Sequence, residues 1–119
     1  MKVRVISAVL GIWLLSVSCG SNQKAPEGIL DHEQMVHALT QVYLTEEKVR
    51  RLNLNTTDSS KQVFNRLQEK VFMKEGIQDS ILKKSIDYYM DHPLELQAIY
   101  TTLVDSLNLM EQRETVKKE

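Results

Sequence analysis

The sequence predicts an all-α protein, a small antiparallel bundle of about four helices. Three observations carry this. Apolar residues recur at spacings of three and four in four separate stretches, the period of a one-faced helix. No segment alternates apolar and polar long enough to make a strand. Only 4 Gly and 2 Pro occur, too few for a turn-rich β-sandwich. At 119 residues the chain holds at most one ordinary domain.

The first helix is expected over 32–52. Asp31 reads as its N-cap and Gln34 as the third helical residue, a pair able to form a capping box, with Leu30 stapling onto Met35. Met35, Leu39, Val42, Glu46 and Val49 then fall on one stripe at spacings of 4, 3, 4 and 3. The run Asn53-Leu54-Asn55-Thr56-Thr57 ends it. At 1.5 Å per residue this helix would be about 31 Å long. Asp58-Ser59-Ser60 signals the next start, and Val63, Phe64, Leu67, Val71 and Phe72 give an apolar face over 60–75. Gly76 suits the left-handed position after a helix, with Ile77 meeting Phe72 in a Schellman arrangement. Asp79-Ser80 caps a third helix over about 80–90. Asp91-His92-Pro93 breaks it, because the residue before proline disfavours the helical region. Pro93 opens a fourth helix over about 93–112, with Leu96, Tyr100, Leu103, Leu107 and Met110 as its seam against the first helix or a partner helix. The charged stretch from Glu111 to Glu119 is expected to fray.

Ahead of these helices lies a different kind of segment. Met1-Lys2-Val3-Arg4 is basic, and Val5 to Val17 is apolar apart from Ser7, Gly11 and Ser16. Thirteen residues are too few, at about 1.5 Å each, to span a hydrocarbon core about 30 Å thick. They fit the apolar region of a secretion signal. Ser18 and then Cys19, the one cysteine of the chain, follow. This arrangement resembles a bacterial lipoprotein signal, with Leu15 one residue ahead of the usual aliphatic place, which Ser16 holds. The resemblance implies cleavage before Cys19, a diacylglycerol on its sulfur and an acyl (palmitate-type) group on its amine. The other reading is a plain secretory peptide and an unrelated thiol. Two or more acyl chains hold a protein on a bilayer stably, at about 0.8 kcal/mol per buried CH₂. The domain organisation is then 1–18 signal, 19–28 lipidated Cys and polar tether, 29–112 helical domain and 113–119 frayed tail.

Charge narrows the partners. Lys plus Arg is 15 and Asp plus Glu is 16, a net of -1. Loss of Lys2 and Arg4 with the leader leaves 13 basic against 16 acidic residues, a net of -3. Neither nucleic acid nor an anionic lipid surface is expected as an electrostatic partner. One Cys excludes an intrachain disulfide framework and a cysteine zinc cluster. His32 and His37 stand five apart, whereas the zincin pattern needs two His four apart on one helix face. The extra residue turns the second imidazole by about 100–140°, so no metal site is expected. No nucleophile elbow, phosphate loop or Cys–His pair is present, and neither catalysis nor a cofactor beyond the acyl groups is expected. Glu46, on the apolar stripe, reads either as a buried carboxylate with a specific partner or as an edge residue in an ion pair. Tyr88, Tyr89 and Tyr100, with Tyr43, read either as rings filling the ends of the core or as an aromatic patch for a protein partner.

The stretch from Pro26 to Leu107 resembles a family of small lipoproteins of Bacteroidetes-type bacteria known only as a domain of unknown function. The matching features are Pro26, Ile29-Leu30, Met35 through Leu39, Glu46, Val71-Phe72, Gly76-Ile77, Asp79-Ser80, Ser85-Ile86-Asp87-Tyr88-Tyr89, Pro93 and Ile99-Tyr100. Gln41 and Tyr43 depart from the family's pattern. The resemblance implies anchoring and an all-helical fold but no reaction. Gly20 after the Cys, without an acidic run, suggests an outer-membrane location facing the periplasm. The expected role is a lipid-anchored, non-enzymatic module for another envelope protein, with Tyr88, Tyr89, Tyr100 and Glu46 as candidate contacts. Alternatives are a periplasmic holdase or assembly factor using a groove between helices, and a small-ligand carrier.

Overall fold

The computed structural model describes residues 24–118, so the expected leader (1–18) and the expected acylation at Cys19 lie outside the described residues. Among the described residues there are four helices: α1 (His32–Arg51), α2 (Thr57–Glu75), α3 (Asp79–Met90) and α4 (Pro93–Val116).

Local chemistry sets most boundaries. Asp31 caps α1 from the extended region. Its carboxylate accepts from the Gln34 N–H, and the Gln34 side chain accepts from the Asp31 N–H, which completes the capping box. Asn53 leaves α1 with a positive φ of 52°, a conformation asparagine tolerates. α2 begins earlier than Asp58-Ser59-Ser60 suggested. Thr56 is its N-cap, with its hydroxyl accepting from the Ser59 N–H, so Asp58 falls in the first turn, where the helix dipole favours negative charge. Gly76 ends α2 at φ 68°, and the Ile77 N–H reaches back to the Phe72 carbonyl at 2.9 Å, as in a Schellman turn. Asp79 is the first residue of α3 rather than its cap. Its carboxylate pairs with Lys83 at 2.7 Å, and Gln78 precedes the helix without a side-chain cap. α4 opens on Pro93 and runs to Val116, four residues past the expected end. Nothing in Glu111-Gln112-Arg113-Glu114 breaks a helix, and Arg113 suits the negative C-terminal end of the dipole.

α1 is the central element and touches each of the other three. Met35 and Ala38 of α1 pack with Phe72 of α2, Leu82 and Tyr89 of α3, and Ile99 of α4. Thr40 and Thr45 are also buried on α1, which they tolerate because each hydroxyl donates to the carbonyl four residues earlier. α2 returns antiparallel to α1, so that Glu75 near its end meets His37 at 3.2 Å. α3 has only 12 residues, about 18 Å, and crosses beside the start of α1, where Ile81 and Leu30 line one cleft. α4 therefore restarts from that same end. His32 meets Thr102, and further along Tyr43, Glu47 and Arg51 share a crevice with Val104, Leu107 and Glu114. Facing positions rise together along both helices, so α4 runs beside α1 in the same direction.

The core is concentrated at the start of α1. Ile99→Ala is expected to cost about 2–5 kcal/mol in urea unfolding, and Val104→Ala, on the half-exposed face, less than about 0.5 kcal/mol. Equal costs would refute this placement of the core. A Cβ at Gly76 would meet nothing within 4 Å. Gly76→Ala should therefore cost only the left-handed backbone penalty, about 1–2 kcal/mol, and a cost near zero would contradict the turn.

Candidate functional site

Ser85 and Tyr89 stand four apart and so share one face of α3. Both reach the same residue. The Ser85 hydroxyl accepts from the Leu30 N–H at 2.8 Å and donates its proton to the Ile81 carbonyl at 2.7 Å. The Tyr89 hydroxyl donates to the Leu30 carbonyl at 2.8 Å. The two backbone groups of Leu30 are thus held by side chains 55 and 59 residues away. Ser85 is fully buried and Tyr89 is 3% exposed. Burial pushes the Tyr89 hydroxyl above its ordinary value of 10.0, and the charges of Glu95, Tyr88 and Asp31 add to the rise. Tyr89 is therefore a core residue whose ring and hydroxyl are both engaged. It offers no accessible contact, which corrects its place among the candidate contacts.

Tyr88 is half-buried. Its ring meets Tyr89 edge-on at 5.1 Å and 81°, and stacks on His92 at 4.1 Å and 23°. The His92 Nδ1 lies 2.7 Å from the Tyr88 carbonyl. A carbonyl only accepts, so that nitrogen carries the proton. The Tyr88 carbonyl also accepts from the Asp91 N–H at 3.2 Å, so His92 adds a second donor at the end of α3 and holds the Tyr88 ring in place.

Glu46 is not brought to these tyrosines. The stripe that α1 buries is Met35, Ala38, Thr45 and Val49, and Glu46 is exposed beside it. A threonine with its hydroxyl bonded to Gln41 takes the inward place because it costs far less to desolvate than a carboxylate. Glu46 lines an open crevice of about 560 Å³ between the end of α1 and the start of α2, together with Val49, Arg50, Leu54, Lys61 and Phe64. A second crevice, about 520 Å³, opens on the other side of α1 between Tyr43, Glu47 and Arg50 and the α4 residues Val104, Leu107 and Met110. The two meet at Arg50, which is paired with Glu47. Tyr100 lies one turn before Val104 on α4. Tyr43, Tyr100 and Val104 are each close to half exposed.

His32 and His37 are parted as their spacing requires. His32 Nε2 lies 3.0 Å from the Thr102 hydroxyl, which donates its own proton to the Ala98 carbonyl. His32 Nε2 is therefore the donor to Thr102. His37 turns to Glu75 instead. Among the described residues no three His, Cys, Asp or Glu gather as a metal centre would need. The pairing of Leu30 with Ser85 and Tyr89 was the feature that sequence reasoning did not reach. Its signal is the four-residue Ser–Tyr spacing together with the Ile29-Leu30 pair ahead of a capping box.

A comparison with protein families matches residues 26–113 to the family described as Domain of unknown function (DUF4296). No curated protein and no solved structure matches the chain. The matched span begins at Pro26, whose carbonyl accepts from the Ile29 N–H at 3.1 Å in the turn leading to Leu30.

Ser85→Ala leaves the Leu30 N–H without a partner, and Tyr89→Phe leaves its carbonyl bare. Each should cost about 1–3 kcal/mol in urea unfolding, with a coupling of at least about 0.5 kcal/mol in the double mutant. Strict additivity would count against a shared hold on Leu30. A second prediction concerns alkaline pH. The folded state keeps the Tyr89 proton more firmly than the unfolded chain does. That contribution to stability is complete below pH 10.0 and is lost as pH rises through the raised folded value. Tyr89→Phe should flatten the alkaline limb of the stability curve; an unchanged limb would assign it to other groups.

Proposed function

The chain belongs to the DUF4296 family, a domain of unknown function, and on that premise we propose a lipid-anchored envelope lipoprotein whose helical body docks another envelope protein without catalysis. The anchor is Cys19, cut free by removal of 1–18 and held on the membrane by diacylglycerol and an N-acyl group. The outer membrane, facing the periplasm, is the location that Gly20 favours.

The observation that carries the docking half is the strip of Tyr43, Tyr100 and Val104. Aromatic residues that can bury large rigid area at low entropic cost are favoured as interface anchors. Here Tyr43 lines a crevice together with Val104, Leu107 and Met110 and the charged Glu47, Arg50, Arg51, Glu111 and Glu114, and Tyr100 stands one turn before Val104. Exposed aromatic and aliphatic side chains mixed with charged ones on one open face suit a docking surface. Tyr88, stacked on His92, supports α3 and lies away from this strip.

A holdase or assembly-factor role is a second reading, favoured by the two crevices that meet at Arg50 along the far half of α1. Such open clefts suit an amphipathic helix or an extended segment. One client, or many, separates the two readings.

A photocrosslinking residue placed at Tyr43 or Tyr100 in intact cells should capture one defined adduct under docking and a ladder of adducts under a holdase role. No adduct from either position would overturn both. Metabolic acyl labelling tests the anchor: wild type should label and Cys19→Ala should not. Equal labelling would refute acylation at this residue.

A further inference from the structure

We propose that Met90 and Leu94, the corner where α3 turns into α4, rest on the bilayer that holds the acyl chains of Cys19. The inference rests on the anchoring reading above and adds an orientation to it.

The point where the tether joins the domain is fixed. Both backbone groups of Leu30 are tied to α3, through Ser85 and Tyr89. The chain upstream of Leu30 therefore leaves the domain from the side of α3, and the turn at Pro26–Ile29 shortens it further. From Cys19 to Pro26 the chain advances seven residues. Covalent geometry limits that stretch to about 25 Å. The end of the domain that carries α3 is thus held close to the membrane.

That same end carries the α3–α4 corner. Tyr89, bonded to Leu30, is followed directly by Met90, and four residues later by Leu94. Thr102 meets His32, the first residue of α1. α4 begins nine residues before Thr102, so its first turn projects about 13 Å past the start of α1. Leu94 lies on that projecting turn and is 81% exposed, and Met90 is 65% exposed. Asp91 and Glu95 flank them. The contact is therefore apolar and is made with neutral head groups, not drawn by anionic lipid. A tether this short keeps the corner at high effective concentration beside the bilayer, so two side chains suffice where a free domain would not bind. The crevices at the far half of α1 then face away from the membrane, where a soluble or membrane-bound protein can reach them.

The test uses the acylated protein reconstituted in phosphatidylcholine vesicles that carry a spin-labelled quencher near the head groups. A fluorophore is placed at Gln97→Cys, one turn from Leu94, or at Asn53→Cys, at the far end of α1. The acylated Cys19 sulfur does not react, so each variant carries a single label. Quenching at Gln97 should exceed that at Asn53 several-fold. Adding Met90→Gln and Leu94→Gln should bring the Gln97 signal down to the Asn53 level. Protein that floats with the vesicles but is quenched equally at both positions overturns the orientation and leaves the anchor standing. So does quenching at Gln97 that the double substitution does not change, which would give the corner to a protein partner instead. Protein that fails to float overturns the anchor and the orientation together.

Discussion

Leu30 is the residue on which the arrangement turns. A peptide group taken out of water must find partners for its N–H and its carbonyl, and an unpaired one costs about 1–3 kcal/mol. Leu30 precedes α1, so no helix supplies those partners. Ser85 and Tyr89 supply both from one face of α3. Ser85 can be buried there because its own proton goes to Ile81, and Tyr89 because its hydroxyl has an acceptor. The motif Ser85-Ile86-Asp87-Tyr88-Tyr89 thus has a structural purpose. Its first and last members hold the chain entry, and Tyr88 closes the end of α3 against His92.

The rest of the topology follows from what this contact does to α3. A short helix pinned across the start of α1 cannot run along it, so the chain re-emerges near the end from which α1 began. α4 then lies parallel to α1, while α2 lies antiparallel. Most of the core gathers where α3 is present, around Met35, Ala38, Leu82 and Ile99. Beyond the reach of α3 only α1, α2 and α4 remain, and side chains such as Tyr43, Val104 and Met110 stay exposed. One end of the domain is closed by the entry of the chain, and the other is open. Under the anchoring proposed for Cys19, that polarity would set the held end apart from an end open to a partner.

Much of the helical outline was readable in advance because its signals are local. The Asp31–Gln34 box, the left-handed Gly76 with Ile77 behind it, and Pro93 at a first helical turn each involve neighbours within five residues. Errors arose where two local signals competed. Thr56 outranked Asp58 as a cap, since its extended backbone set its hydroxyl on the Ser59 N–H. Glu46 and Thr45 both fit a stripe of threes and fours. Periodicity cannot choose between adjacent positions, and desolvation chose the threonine. Charge at the end of α4 suggested fraying, yet good helix formers carried it to Val116.

From the amino-acid order alone come the all-α class, the number of helices in the described part, the Asp31–Gln34 box that opens α1, the Gly76 stop of α2 and the Pro93 start of α4. These depend on contacts within a turn or on composition. The tertiary structure alone decided which side chains hold Leu30, that Tyr89 is core while Tyr100 is surface, and that α4 runs with α1. Each of those joins residues tens of positions apart, and loop closure between such positions leaves no periodic trace in the chain.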